Sequence, residues 1–137
     1  MIISRQTQLT KRNRHGAAAV EFALTAGLAF FFFFAALEFC RVAMIRHTVE
    51  NALYEGARAG IVPGATAANV TTRAQNILGT LGLRSVTIQV TPNPIIATTQ
   101  TVQVRIQVPL NQNLFGPAKF FSGKTIDRTF TMQREGA

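Results

Sequence analysis

Charged residues are scarce in this sequence, and the residues that form disulfides are scarcer still. Only 15% of the side chains are charged, whereas 47% are hydrophobic, and this charge content is low for a soluble domain. Cys40 is the single cysteine, so an intrachain disulfide is excluded. Because it ends a long apolar run, it is expected to pack as a small apolar side chain.

Residues that could support catalysis or a metal site are also few. The two histidines are His15, in the basic N-terminal segment, and His47, on a predicted helix. Only Glu50 and Glu55 stand near His47 at metal-ligand spacing, and they lack further ligands. No nucleophile motif, phosphate-binding loop or carboxylate dyad is found outside the apolar run. We therefore predict a protein that is not an enzyme and binds no cofactor or metal.

Acidic residues are outnumbered, but the excess of positive charge is not distributed as in a nucleic-acid-binding protein. There are 14 Lys and Arg against 6 acids, a net charge of +8. Half of this excess lies in residues 1–16, as Arg5, Lys11, Arg12 and Arg14. The rest is scattered, without a basic patch interleaved with aromatic residues and without a recognition-helix or zinc-finger motif. Nucleic acid is therefore not a predicted partner.

A long apolar run follows the basic segment. No residue from Phe22 to Leu37 is charged, and the run includes five consecutive phenylalanines, Phe30 to Phe34. A helix over residues 17–40 would be about 36 Å long, enough to cross a bilayer core of about 30 Å. The alternative is a buried core helix, which the remaining residues would have to surround on every side. We predict a transmembrane helix at residues 17–40.

The basic segment predicts the orientation of this helix. Lys11, Arg12 and Arg14 precede the apolar run, as the positive-inside rule expects of a cytoplasmic flank. We therefore predict a cytoplasmic leader at residues 1–16 and an extracytoplasmic domain at residues 41–137, which is periplasmic or surface-exposed in a bacterium.

The run differs from ordinary export signals. The segment from Ala35 to Phe39 offers no convincing small-x-small cleavage site. A lipobox is excluded because the bulky Phe39 precedes Cys40, and residues 11–14 do not form a twin-arginine motif. The small-residue site lies before the run instead, at Gly16 and Ala17. Cleavage there would remove the basic leader, leave the helix intact and create a new amine at Ala17.

Two segments resemble one family of pilus proteins. Gly16, followed by four small or apolar residues and then Glu21 and Phe22, resembles the prepilin-peptidase site of the tight-adherence (Tad, or Flp) branch of the type IV pilin superfamily. The segment from Asn51 to Gly60, which contains EGARAG, resembles the one after the membrane helix in TadE-like proteins. The ending from Thr129 to Glu135 is also similar. The chain therefore looks like a TadE-like minor pseudopilin.

This resemblance implies a structural subunit, cut between Gly16 and Ala17, that stays in the bacterial inner membrane and joins or primes a Tad pilus. The implied partners are a prepilin peptidase, other pilins and pseudopilins, the Tad inner-membrane machinery and the lipid bilayer. It also implies that Glu21, next to Phe22, offsets the new amine of a neighbouring subunit. An amine and a carboxylate that are each costly in hydrocarbon become tolerable when paired.

Other interpretations stay open. Glu21 could instead reach the cytoplasmic headgroups, since it lies only about one turn inside the boundary. The whole chain could be an unprocessed single-pass signal-anchor protein whose periplasmic domain binds another envelope component. A small accessory protein of a membrane enzyme is a third interpretation.

Beyond the span, apolar periodicity predicts an α+β fold with a pilin-like arrangement. The first helix is expected to continue to about Gly60, with its apolar stripe at Val42, Ile45, Val49, Ala52 and Leu53. Thr66 is expected to cap a second helix, which ends before Gly82 and has one face formed by Val70, Ala74, Ile77, Leu78 and Leu81. Alternation predicts strands around residues 86–90, 102–108 and 125–133. An antiparallel sheet should place its apolar face on the long helix.

Local pairs and one long connection complete the predictions. Arg46 and Glu50 are spaced as an i,i+4 ion pair, and Glu38 and Arg41 as an i,i+3 pair. The connection from Pro109 to Gly123 carries Leu114, Phe115, Phe120 and Phe121. These side chains could form a subunit contact, lie on the membrane surface or cover the edge of the sheet.

Overall fold

A computed structural model describes residues 6–115 and 123–134, with side chains from Gly16 onward. Helix α1 is Gln6–Gly60 and helix α2 is Ala67–Gly79. The strands are β1 (Thr87–Thr91), β2 (Thr101–Pro109) and β3 (Thr125–Gln133), and a 3-10 helix, Leu110–Gln112, follows β2. The predicted α+β fold, with one long helix, one short helix and a three-stranded antiparallel sheet, is confirmed. The chain divides into two units, Met1–Leu37 and Glu38–Ala137.

The described part of the first unit is helical, and its apolar side chains are exposed. The five phenylalanines from Phe30 to Phe34 are between 55% and 62% exposed. By length and composition, the Gly16–Gly60 helix is the one candidate membrane span among the described residues, and its apolar window is not buried inside the protein. A core helix would bury these side chains, so the core-helix alternative is not supported.

The second unit is built around the predicted apolar stripe of α1. Ile45, Val49 and Ala52 are fully inaccessible and Leu53 nearly so, while Val42 packs at the edge of the core. The polar side of the helix carries the predicted pair, with Arg46 Nε 3.6 Å from Glu50 Oε1. The predicted face of α2 is confirmed as well. Val70, Ala74 and Leu78 are buried, and Ile77 and Leu81 pack against the same core.

Helix α1 ends where the backbone must approach its neighbours closely. A Cβ atom at Gly60 would lie only 2.9 Å from methyl carbons of Val70 and Val102. These valines are fully buried and cannot yield, because a close-packed core has little free volume. Glycine at position 60 therefore lets α1, α2 and β2 meet.

The two ends of α2 follow from local hydrogen bonds. The backbone N–H of Asn69 donates to Thr66 Oγ1 at 3.3 Å, as predicted for an N-cap. The helix ends at Gly79, somewhat before the predicted stop at Gly82. The difference arises because the N–H groups of residues 80–82 donate to carbonyls three residues earlier, which makes a tighter last turn. Gly82 then adopts a φ of 60°.

Strand β2 is the middle strand of the sheet, and both pairings are antiparallel. Its alternating residues Val102, Val104, Ile106 and Val108 are fully buried, as predicted. Strand β3 lies at an edge and is more exposed, with Phe130 37% exposed and its ring 6.0 Å from that of Tyr54. Arg128 interrupts the apolar side of β3 and is exposed.

The outer face of the sheet carries a charge network across two strands. Asp127 accepts hydrogen bonds from Arg105 Nε and Gln107 Nε2, both at 2.9 Å. These two side chains hold the carboxylate in its ionised form and lower the pKa of Asp127 to about 2. A depressed pKa stabilises the folded state above the ordinary pKa of an aspartate, and this contribution is lost only as the pH falls toward about 2.

Candidate processing and assembly site

The residues predicted to form the processing site lie on α1 in the first unit. Gly16 and Ala17 are both exposed, and a Cβ atom at Gly16 would meet nothing within 4 Å. Ala17 and Glu21 are an i,i+4 pair, so they lie on the same side of the helix about 6 Å apart along its axis. An amine created at Ala17 would therefore emerge on the same side as the carboxylate.

Glu21 has no partner among the residues whose side chains the structure describes. It is exposed, and within the part of the chain that the structure describes its carboxylate makes no hydrogen bond or ion pair. Phe22 is 74% exposed. An unpaired carboxylate in a membrane-spanning helix is costly by about 2.5 to 3.5 kcal/mol even on lenient scales. A partner from outside the chain that pairs with this carboxylate would remove much of that cost.

The backbone at the predicted cleavage point is helical. Helix α1 begins at Gln6, so the bond between Gly16 and Ala17 lies inside the helix rather than at its start. Glycine is less favourable than alanine in a helix interior by about 1 kcal/mol. Position 16 is therefore a point at which the helix unwinds more readily than in the alanines that follow.

For the basic residues predicted to set the membrane topology, the structure describes the backbone but not the side chains. Lys11, Arg12 and Arg14 belong to α1 by their backbone, and their side chains lie outside the described part. Of the connection after β2, Leu114 packs against the core and Phe115 is 78% exposed. Phe120 and Phe121 lie outside the described residues.

A buried asparagine joins two segments of the second unit, and no local pattern in the sequence indicates it. Asn113 is 6% exposed. Its Oδ1 accepts from the backbone N–H of Arg84 at 2.7 Å, and its Nδ2 donates to the carbonyls of Arg84 and Pro109 at 3.0 and 2.8 Å. Asn113 thereby connects the segment after α2 to the end of β2 through groups that would otherwise be buried without partners.

Arg41 completes this junction from α1. Its Nε donates to the carbonyl of Asn113 at 3.2 Å and its Nη2 to the carbonyl of Leu81 at 3.1 Å. The guanidinium also lies over the ring of Phe115, 5.1 Å from its centre. The pair with Glu38 stays a prediction, and these contacts add bonds from Arg41 to segments distant in the chain. Spacing along a helix could not have revealed them, because the partners are 40 and 72 residues away.

Replacing Asn113 by alanine should destabilise the second unit by about 2 to 4 kcal/mol, because buried N–H and C=O groups lose their partners. Asn111 provides a matched control, since it is exposed in the 3-10 helix that ends just before Asn113, and its replacement by alanine should have little effect. Pulse proteolysis of the full chain in nonionic micelles over a urea series measures both. Equal urea midpoints for the Asn113→Ala and Asn111→Ala variants would show that the hydrogen bonds of Asn113 do not stabilise the second unit.

A further charge cluster connects the EGARAG segment of α1 to α2. Glu55 Oε2 accepts from Arg73 at 2.9 Å, and Arg58 lies 3.7 Å away. The hydrogen bond from Arg73 is the main reason that the pKa of Glu55 is lowered. In the same segment Gly56 faces Val70 and Ala74 of α2 at ordinary contact distance. This segment therefore forms a packing contact between α1 and α2.

Among residues 16–115 and 123–134, no three His, Cys, Asp or Glu side chains gather as metal ligands. The side chain of His47 is 81% exposed and lies 4.0 Å from Glu50.

The fold and the candidate site define a class: a protein with one helix able to anchor it in a membrane and a small α+β domain attached to that helix. Residues 16–58 match the family described as TadE-like protein, a family associated with the Tad pilus and structural rather than enzymatic in kind. The predicted resemblance is thereby confirmed over this segment. No curated protein and no solved structure matches the chain significantly.

Proposed function

We propose that this chain is a minor pseudopilin, a structural subunit that joins or primes a Tad pilus after a prepilin peptidase has cut it between Gly16 and Ala17. It remains in the bacterial inner membrane through residues 17–40, with residues 41–137 on the extracytoplasmic side. Its partners are the peptidase, other pilins and pseudopilins, and the inner-membrane machinery of the same system.

The observation that carries this proposal is an exposed Glu21, without a partner among the described side chains, five residues beyond an exposed Gly16. Two further facts support it. The match to TadE-like proteins begins at residue 16, so the matched region starts at the proposed cleavage point and leaves the basic leader outside it. The apolar helix that follows is exposed along its length, which leaves its surface available to lipid and to other helices.

Glu21 acts as the acceptor for the amine of a neighbouring subunit. Within one chain, Ala17 and Glu21 are separated by about 6 Å along the helix. Two neighbouring helices that are staggered along their axes by about this distance would bring the amine of one beside the carboxylate of the other. Pairing removes the cost of two isolated charges in hydrocarbon and sets the stagger between subunits.

The intact mass of the chain, extracted from the membranes of its own host, tests this proposal. We expect the mass to be lower than that of the full sequence by residues 1–16, because cleavage after Gly16 removes them. A host in which the pilus peptidase has been deleted is the control, and the full-length mass should return there.

Full-length protein from cells whose pilus peptidase is demonstrably active would contradict the proposal. That result would favour the unprocessed signal-anchor interpretation, in which residues 41–137 bind another envelope component and residues 1–16 stay attached.

A further inference from the structure

We propose that the end of the second unit formed by Arg41, Arg84, Phe115 and Lys124 is a docking surface for the headgroups of anionic phospholipids. This proposal rests on the proposed membrane span, because the span ends at Cys40 and Arg41 is the next residue. A group bonded directly to the end of a span is held at the level of the headgroups. The surface around Arg41 therefore meets the bilayer without the cost of bringing two free partners together.

Contacts within the second unit place the other three residues at the same end as Arg41. Arg41 donates to the carbonyl of Asn113, and Asn113 holds the backbone of Arg84 from both sides. Phe115 lies under the Arg41 guanidinium. The backbone N–H of Leu110 donates to the carbonyl of Lys124 at 3.0 Å, which fixes the start of β3 beside the same 3-10 helix.

The side chains on this surface suit an interface between water and lipid. Phe115 is 78% exposed, the largest exposure among the exposed large hydrophobic side chains of the described residues. An aromatic side chain on a cationic surface gains by entering the boundary between headgroups and acyl chains, while the cations stay among the phosphates. Asn113, two residues before Phe115, is hydrogen-bonded to Arg84 and Pro109, and Arg41 contacts the ring, so part of the backbone and side-chain entropy is lost before docking.

The charges on this surface favour an anionic partner. Arg84 and Lys124 are exposed, and Arg41 is half-buried. Two acids lie near these cations in the chain: Glu38, three residues before Arg41, is half-buried, and Asp127, three residues after Lys124, is bound to Arg105 and Gln107. Each cation close to an anionic bilayer raises binding by about fivefold at moderate salt. Three cations and one exposed aromatic ring thus select an anionic lipid surface over a neutral one.

Tryptophan reporters can test this surface, because the natural chain contains no tryptophan. The full chain is reconstituted in nanodiscs whose lipids carry bromine on the acyl chains near the headgroups, either phosphatidylcholine alone or phosphatidylcholine mixed with phosphatidylglycerol. Phe115→Trp should be quenched strongly in the anionic discs and less in the neutral ones. Adding Arg84→Gln and Lys124→Gln to the reporter should reduce the quenching in anionic discs several-fold.

Two matched reporters serve as controls. Ile96 is 56% exposed and lies at the opposite end of β3, where its carbonyl accepts from Arg134 at 2.7 Å. Ile96→Trp should stay unquenched in both kinds of disc. Phe32, 61% exposed in the predicted span, provides the positive control as Phe32→Trp and should be quenched in both.

The outcomes separate the failure of this surface from the failure of the span. Quenching at position 32 without quenching at position 115 would overturn the lipid surface and leave the proposed membrane function intact. An unquenched Phe32→Trp would overturn both. Equal quenching at 115 in neutral and anionic discs would contradict the preference for anionic lipid. If the tryptophan at position 115 is not quenched by bromine but becomes less exposed to water as the protein concentration rises, the surface is a contact between copies of the chain and the lipid proposal is wrong.

Discussion

Gly16→Leu is expected to leave the chain in the membrane at its full-length mass, with processing reduced by at least about a hundredfold. A peptidase pocket that accepts glycine before the scissile bond has no room for the four carbons of a leucine side chain. Even one extra methylene group can change the rate at which an enzyme processes a substrate by about tenfold or more. Position 16 is surrounded by open space in the structure, so leucine is not expected to disturb the chain itself. The intact mass of the membrane-extracted variant measures the effect.

Gly27 offers a matched control in the same helix. It is also exposed and would also meet nothing within 4 Å, so Gly27→Leu makes the same chemical change eleven residues further along. This variant should be processed normally. Gly16→Ala separates a steric clash in the peptidase from a more stable helix as the cause of lost cleavage. Alanine stabilises the helix about as much as leucine does but adds only one methyl group. Complete processing of Gly16→Leu would show that the cut is not made at Gly16.

Glu21→Val is expected to abolish pilus assembly while cleavage after Gly16 continues. Removing the carboxylate leaves the amine of a neighbouring subunit buried without its partner, and breaking a buried pair in this way is unfavourable by about 3 to 5 kcal/mol. At each subunit contact this corresponds to a weakening of association by at least about a hundredfold. The yield of pili sheared from the host's surface measures assembly, and the intact mass reports cleavage in the same cells.

Glu50→Val controls for the loss of one negative charge. Glu50 is exposed on the part of α1 that belongs to the second unit, where it pairs with Arg46 at 3.6 Å, and exposed pairs of this kind contribute little to stability. This variant should assemble pili normally. If pili also form normally with Glu21→Val, the role proposed for that carboxylate is wrong, and the interpretation in which Glu21 simply reaches the headgroups becomes the better one.

Much of the fold could be predicted because its elements follow from periodic burial. The stripe from Val42 to Leu53 has the period of a helix, and Val102 to Val108 alternates with the period of a strand, so each pattern shows directly which face is apolar. Thr66 was recognisable as a cap since its side chain bonds only three residues away. The end of α2 was placed too late because a tight turn of hydrogen bonds precedes Gly82.

The polar junction could not be predicted, because it joins residues far apart in the chain. Nothing local distinguishes Asn113 from the exposed Asn111 two residues before it, yet only Asn113 is buried and bonded to Arg84 and Pro109. The cross-strand network of Asp127 with Arg105 and Gln107 likewise depends on the register of β2 and β3. Such pairings are decided only when the chain folds back on itself.

The sequence alone determined the order of the elements, the apolar face of each, the candidate span and the proposed cleavage point at Gly16. These features depend on neighbours within one turn of helix or a few residues of strand, so local composition is enough to define them. The tertiary structure decided that Glu21 has no partner among the described side chains and that Arg41, Asn113 and Phe115 meet in the second unit. Contacts over such separations depend on how α1, α2 and the sheet pack, which no local pattern encodes.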